Sequence, residues 1–441
     1  MVGTLTQTQT LAEKAKALGI EFFLVSYTDL LGGMRAKLVP ATQVASVEKD
    51  GAFFCAFASN LGLGADAPEI AVIPDPDSLI QLPWEPTVGW VASDVYYQGE
   101  PFSAAPRMIL KRALAQCAEL GYTYKAGVEA EFFLLKKTDS GYVVADEFDT
   151  AERPCYDQIN LMRQFDLIST LVKYMEQLGW GPYQCDHEDA NGQFELNWTY
   201  SDAKTTCDRH AFFKYMVKTL AQQRGLTATF MPKPFSHITG SGGHVHNSLW
   251  QGSTNCFEAG ADEGGLSPVG YHFLGGVLNH AQGLTALFAP TVNSYRRLGA
   301  SMTASGSTWT PRYISYGGNN RSHLLRIPEA GRFECRLIDG SANLYLALAG
   351  LVAAGVDGIK NKTSPGDRID ENLFERGADF PHLQTLPTNL QEAMVALQQN
   401  PLMMATLGEV GAKTFLEFKQ KEWNSFCAQI TDWEMTQYIN I

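Results

Sequence analysis

The sequence predicts an α+β fold in two unequal parts, residues 1–103 and 104–441. Short apolar and aromatic runs separated by turn residues fill the first hundred positions, the pattern of small strands. The texture then changes at Gly99-Glu100-Pro101. Beyond that point apolar residues recur every three or four positions in long stretches that alternate with strand-like pieces, as in a large mixed domain.

A short frayed start leads into a helix that ends by residue 19. Glu21–Tyr27 reads as a strand, Asp29–Gly33 as a turn, and Met34–Val39 as the returning strand. Ala71–Ile73, Leu79–Leu82 and Gly89–Ala92 are further short strands, with Pro74-Asp75-Pro76-Asp77 between the first two. Pro106 opens a helix with Ile109, Leu110, Ala113, Leu114 and Cys117 on its apolar face, and Gly121 closes it. Helices of similar pattern are expected at about 157–179, 208–224, 268–288, 343–359 and 411–428.

Composition narrows the function classes. The chain has 441 residues, 45% hydrophobic and 18% charged, enough to bury a core and too apolar for disorder. Its charge sum is 34 − 47 = −13, with no basic run, which argues against nucleic acid as a partner. Eight cysteines are scattered singly, with no CxxC, and read as reduced thiols of a cytoplasmic protein. Met1–Thr10 is polar and lacks the layout of a signal peptide. The most membrane-like stretch, Leu344–Val356, is shorter than the ~20 residues a span needs, so no membrane is expected.

Four segments carry candidate chemistry. Val128–Leu135 reads as one strand, which puts Glu129 and Glu131 on a single face, roughly 6–7 Å apart. At an effective dielectric near 20 their charges repel by roughly 2–3 kcal/mol, so in a cleft something must offset the repulsion; alone, the pair also fits a solvated edge. Asp186–Glu195 places Glu188 and Glu195 on either side of a Gly turn. Thr239-Gly240-Ser241-Gly242-Gly243-His244-Val245-His246 joins a Gly-rich loop, open to close backbone approach, to two histidines on one strand face. Arg332-Phe333-Glu334-Cys335-Arg336 sets a carboxylate between two guanidinium groups on one face. Arg296, Arg297, Arg312, Arg321 and Arg326 lie upstream, and arginine suits bidentate phosphate or carboxylate recognition.

Mostly hard oxygen ligands favour Mg²⁺ or Mn²⁺ over zinc. Arginines beside such ions suit nucleotide phosphates, and phosphoryl transfer needs chiefly positioning and charge neutralisation. There is no Walker A sequence, and Gly62-Leu63-Gly64 does not make a dinucleotide loop.

These motifs, together with Lys233-Pro234, Pro290–Leu298 and Asn320-Arg321-Ser322, stand in the order seen in glutamine synthetases. Over nearly its whole length the chain resembles that family, with the flavour of the type III-like branch that includes γ-glutamylamide ligases. The resemblance implies an N-terminal β-grasp domain and a catalytic domain with a curved antiparallel sheet flanked by helices, as in the glutamine synthetase/guanidino kinase-like fold. It implies an ATP-dependent ligase that makes γ-glutamyl phosphate from glutamate and then passes the acyl group to ammonia. By motif position, Glu131, Glu188 and Glu195 would hold one of two divalent ions, Mg²⁺ or Mn²⁺, and Glu129, His244 and Glu334 the second. Arg297 and Arg336 would grip the glutamate carboxylates beside the Gly240 backbone. Arg321, Arg326, Arg332 and His246 would face phosphate oxygens, with Ser248 and Tyr200 at the nucleoside. The family also implies a homo-oligomer, a dodecamer of two hexameric rings with sites shared between neighbours.

Two departures concern the amine. The family's flap glutamate has no counterpart, because no Asp or Glu occurs from Leu298 through Pro328. Its ammonium-site aspartate is missing from Phe54–Asn60 as well. A small alkyl-amine walled by Trp309, Tyr313 and Phe57 is therefore the alternative to ammonia, and a rebuilt flap with another acid is the milder one. A non-catalytic ring protein is a further alternative, against which the full set of acidic residues argues.

Overall fold

A computed structural model describes residues 9–259 and 265–441 of the chain. The expected frayed start at residues 1–8 lies outside the described residues.

Helix α1 (Leu11–Leu18) opens on a Thr10–Glu13 capping box and ends at Gly19 in the left-handed region. The hairpin of β1 (Phe22–Thr28) and β2 (Met34–Pro40) follows, closed by a turn whose amides of Leu31 and Gly33 donate to Asp29. Helix α2 (Val44–Asp50) crosses to β3 (Ala52–Phe54), β4 (Ile70–Pro74), β5 (Ile80–Leu82), the long β6 (Glu85–Tyr97) and β7 (Glu100–Pro101). The sheet runs β2-β1-β6-β4-β3, with β1 and β6 parallel at its centre. A hairpin and crossing helix around a central parallel pair make this a β-grasp.

The larger part begins with α3 (Pro106–Glu119), whose buried Ile109, Leu110, Ala113 and Cys117 follow the predicted face. Its strands fall into two sheets. One contains β9 (Ala130–Thr138), β10 (Gly141–Val144), β11 (Pro182–His187), β12 (Gln193–Trp198) and β14 (Thr227–Thr229). The other is built on β8 (Thr123–Val128) and β13 (Ser201–Asp202), with β15 (Val245–Gln251), β16 (Thr254–Asn255), β17 (Tyr316–Gly317), β18 (Leu325–Glu329) and β19 (Arg332–Cys335). Together they form a curved, nearly closed wall with helices outside.

The expected single strand Val128–Leu135 is thus two strands. The chain leaves one sheet at Val128 and enters the other at Ala130, and Glu129 is the joint. Two expected helices are also divided. The first becomes α4 (Gln158–Arg163) and α5 (Phe165–Gln177), broken at Gln164, where φ and ψ are −100° and 14°. Helix α6 (Ala203–Gln223) starts earlier than predicted because Asp202 caps it through the Thr205 amide. The second divided helix becomes α7 (Pro268–Asn279) and α8 (Ala281–Phe288), broken at His280 at −102° and 6°. After α9 (Ser294–Leu298), helix α10 (Leu344–Asn361) packs against α7 and α3. Among the described residues it is the one helix long and apolar enough to cross a membrane, yet 78% of it is buried inside the protein. It is the core helix.

Candidate active site

Sheet pairing sets the site. Glu131 on β9 stands opposite Glu195 on β12, and Glu195 stands opposite Asp186 on β11. Cross-strand partners share a face, so three carboxylates form a row. Glu188 follows at the end of β11, where its amide donates to the Gln193 carbonyl across the Gly192 turn. Beneath it, His187 Nε2 lies 2.8 Å from Asp149 and Nδ1 lies 2.9 Å from the Glu188 carbonyl, fixing that backbone.

The row is electrostatically uncomfortable. Burial, then Glu131 and Asp186, push Glu188 well above the usual carboxylate range. Burial, then Glu129 and Glu188, do the same to Glu195. Burial and Glu131 push Asp186 up to about 6, and its Oδ1 is buried with no hydrogen-bond partner among the described residues. Crowded carboxylates of this kind fit a hard divalent cation, which would supply the missing countercharge.

Glu129 sits across from this row. Its Oε1 lies 2.7 Å from His246 Nε2 and its Oε2 lies 3.2 Å from His244 Nδ1. Burial opposes its ionisation, but the two histidines more than offset that and hold it well below the usual range. Glu129, His246 and Glu334 can each bring a ligand atom within 4.8 Å of the others. His244 is also close, with Nδ1 3.5 Å from Glu334 and 3.8 Å from Glu131. Both histidines therefore border the carboxylates, and the sequence reading separated them more sharply than the geometry does.

The arginines close the cleft. Arg326 reaches Glu334 at 2.7 Å and Arg336 bonds the other carboxylate oxygen. Burial raises the Glu334 carboxyl and Arg336 lowers it, leaving it at about 2. Arg332 lies 2.5 Å from His246 Nδ1. Buried Arg297 reaches the Leu337 carbonyl and lies 3.3 Å from His244. Arg321 lines the same cavity, whereas Arg296 and Arg312 do not: they lie over Phe426 and Tyr313. Gly240 and Gly242 carry the loop between Arg297 and the acids. A Cβ on Gly240 would sit 2.2 Å from the Pro232 carbonyl oxygen, and one on Gly242 2.6 Å from His244. The Gly242 amide donates to Glu131 at 2.7 Å.

This charged cavity, about 580 Å³, adjoins another of about 870 Å³. Tyr200 and Trp250 stack in the larger one at 6.1 Å, with the Lys125 ammonium 3.9 Å above Trp250. Ser248 accepts from the Trp250 indole. Glu129, His246 and Arg332 line both cavities. Of the aromatics expected at the amine, Trp309 lines the charged cavity. Tyr313 instead lines a separate cavity, and Phe57 is exposed on the first sheet's side of the molecule. Sequence reading did not single out Asp186, Asp189, Gln193, Lys125 or Trp250. A signal existed for Trp250, two residues from Ser248 on one strand face, and for Gln193, two residues from Glu195.

An aromatic-walled cavity that opens onto carboxylates and arginines suits a phosphoryl-transfer catalyst. Residues 103–438 match the model of the glutamine synthetase catalytic domain. A glutamine synthetase of Rhizobium meliloti is 47% identical over 98% of this chain and 100% of its own length. A glutamate–methylamine ligase of Methyloversatilis universalis is 41% identical over 95% of this chain and 96% of its own. A solved structure described as a GmaS/ADP complex is 52% identical, covers 99% of this chain and 100% of that one, and superposes with a TM-score of 0.94. The chain belongs to the glutamine synthetase family. It is an ATP-dependent ligase that joins ammonia or an amine to the γ-carboxylate of glutamate, and the family implies divalent metal ions alongside ATP.

Proposed function

We propose that the acceptor is a small alkyl-amine of methylamine size and the product a γ-glutamyl alkylamide. The observation that carries this is the loop after Arg297. It has no acid from Leu298 through Pro328, and it presents the Trp309 ring to the cavity. A bare ammonium ion is best held by several carboxylates, whereas an N-alkyl group gains from an apolar wall.

In this reading Arg297 and Arg336 grip the carboxylates of glutamate, with the Gly240 backbone beside them. Arg321, Arg326 and Arg332 neutralise phosphate oxygens together with His246, and Tyr200 and Ser248 meet the nucleoside. A γ-carboxylate oxygen of glutamate bonds to the terminal phosphorus of ATP while the bond to ADP breaks. The amine nitrogen then attacks the acyl carbon of γ-glutamyl phosphate, inorganic phosphate leaves, and the nitrogen loses a proton. Two divalent ions, Mg²⁺ or Mn²⁺, would supply charge neutralisation: one held by Glu131, Glu188 and Glu195, the other by Glu129, Glu334 and His244. The close grouping of Glu129, Glu334 and His246 supports His246 as a further ligand.

We also take residues 1–103 and 104–441 as separate domains and the working form as two stacked hexameric rings. Exposed Phe22, Leu38, Phe53 and Phe57 in the first part, and Ile430, Trp433 and Ile439 near the end, support burial against neighbouring subunits. Eight free cysteines, two of them exposed, support a cytoplasmic setting.

Ammonia is the second reading, favoured by the Rhizobium meliloti relative. A panel of ammonia, methylamine, ethylamine and ethanolamine, scored by phosphate release and product mass, decides between them. Clear preference for ammonia overturns the alkyl-amine reading.

A further inference from the structure

The loop that lacks an acid of its own is fastened to one from elsewhere. Asp189 is buried just beyond Glu188, and its Oδ2 gathers donors from two segments. Trp309 Nε1 and Ser305 Oγ each donate at 2.9 Å, and Thr239 Oγ1 donates at 2.6 Å. Thr303 Oγ1 is also near, at 3.4 Å, but its single proton is better placed on the Ser307 carbonyl at 2.9 Å. Three donors thus converge on one carboxylate oxygen.

Trp309 shows what the clamp enforces. Its φ is 54°, in the left-handed region that a bulky side chain enters only when its surroundings compel it. Two bonds do so: its amide donates to Ser307 Oγ at 2.9 Å and its indole to Asp189. The result is an aromatic ring held against the cavity that also contains Arg297, Gly240 and Glu131. Thr239, the third donor, precedes Gly240, so one carboxylate ties the glutamate-side loop to the Trp309 loop.

We propose that Asp189 is the positioning residue of the acceptor site: by clamping Ser305 and the Trp309 indole it holds the apolar wall that selects an N-alkyl amine. This rests on the alkyl-amine reading given above. Asp189 acts through Trp309 and is assigned no proton transfer.

The experiment compares Asp189→Ala, Asp189→Asn and Trp309→Phe in the full-length enzyme with ATP and a divalent metal. Steady-state constants are measured for glutamate, ATP, methylamine and ammonia, and hydrogen exchange is followed over residues 299–310. Asp189→Ala is expected to raise KM for methylamine by about tenfold or more while glutamate and ATP constants move by less than about threefold. The preference for methylamine over ammonia shrinks, and the loop exchanges faster. Asp189→Asn recovers part of both effects, because its carbonyl oxygen still accepts from the indole and the Ser305 hydroxyl. Trp309→Phe keeps an aromatic wall without the indole donor, so it too loosens the loop and weakens methylamine selection. An unchanged amine preference in Asp189→Ala, an unchanged exchange rate, or an equal loss for every substrate overturns the proposal. The wild-type panel guards the underlying reading independently: an enzyme that prefers ammonia fails there, before any variant is compared.

Discussion

Glu131 and Glu195 stand directly opposite each other on neighbouring antiparallel strands, buried and facing the same cleft. Like charges in that register destabilise a sheet, so the pairing fits a site that a cation would neutralise. The linkage has a definite sign. Glu188 and Glu195 have native pKa values raised above their unfolded values. The native state then holds more protons than the unfolded one, and stability falls as pH climbs from the ordinary glutamate value, about 4.3, toward the raised native values. Metal-stripped protein should therefore melt at lower temperature at about pH 8 than at about pH 6. Mn²⁺ should restore the loss, most at the higher pH. Glu195→Gln should flatten the pH dependence without metal and shrink the Mn²⁺-induced gain. Calorimetry with and without chelator reads both; identical pH dependence in the variant and wild type would refute the account.

Much of this site could be read from the sequence because strand alternation and short spacing bring its parts together. Glu188 and Glu195 flank one turn, and Glu334 and Arg336 are two residues apart on the chain. The break at Glu129 could not be read, because Val128 through Leu135 is apolar on both faces apart from the glutamates, so nothing marks where one sheet gives way to the next. The helix breaks at Gln164 and His280 keep the apolar period running through a single non-helical residue, and periodicity is blind to that. The Asp189 clamp joins Asp189 to Thr239, Ser305 and Trp309, which lie 50, 116 and 120 positions away, and no local pattern encodes such contacts.

The joint at Glu129 should separate nucleotide use from glutamate use. Glu129 touches both histidines and borders the aromatic-walled cavity, whereas Glu131 is set deeper, against Gly242 and Gln193. Glu129→Gln is expected to raise KM for ATP by about tenfold or more, with glutamate KM within about threefold. Glu131→Gln should depress glutamate-dependent ADP formation across all conditions. Wild-type kinetics in either variant would contradict the assignment.

Gly242 is needed for the space it leaves. A methyl there would lie 2.6 Å from His244 and 2.9 Å from both Arg297 and Glu131, three polar groups that must shift together. Gly242→Ala should lower kcat/KM by about a hundredfold, the scale on which ångström displacements act. Its far-ultraviolet circular dichroism should stay that of the wild type. Activity within about threefold of wild type would show that the loop relaxes freely.

Acid stability should depend on one buried arginine. Arg107 on α3 reaches Asp75 at 2.6 Å and Asp94 at 2.5 Å on the first part, and Asp208 on α6 at 2.9 Å. Lys204 adds a second contact to Asp75 at 2.8 Å, and the Tyr345 hydroxyl donates to Asp208. Burial raises the Asp75 carboxyl, but Arg107 and Lys204 together bring it well below the usual range. With the native value depressed, this contribution is complete above the unfolded value, near 3.9, and disappears as pH falls below it. Asp75→Asn should therefore flatten the fall in stability below about pH 4, while lowering stability modestly near neutrality. Arg107→Ala is a harsher change. It leaves three carboxylates facing one another without their shared cation, and a loss of about 3–5 kcal/mol is expected. Trp84 packs against Phe212 of α6 at 5.7 Å, so its share of the fluorescence of the chain's eight tryptophans changes when the two parts separate. Superimposable acid-unfolding curves for Asp75→Asn and wild type would remove Asp75 from this account, and a stable Arg107→Ala protein would remove the whole cluster.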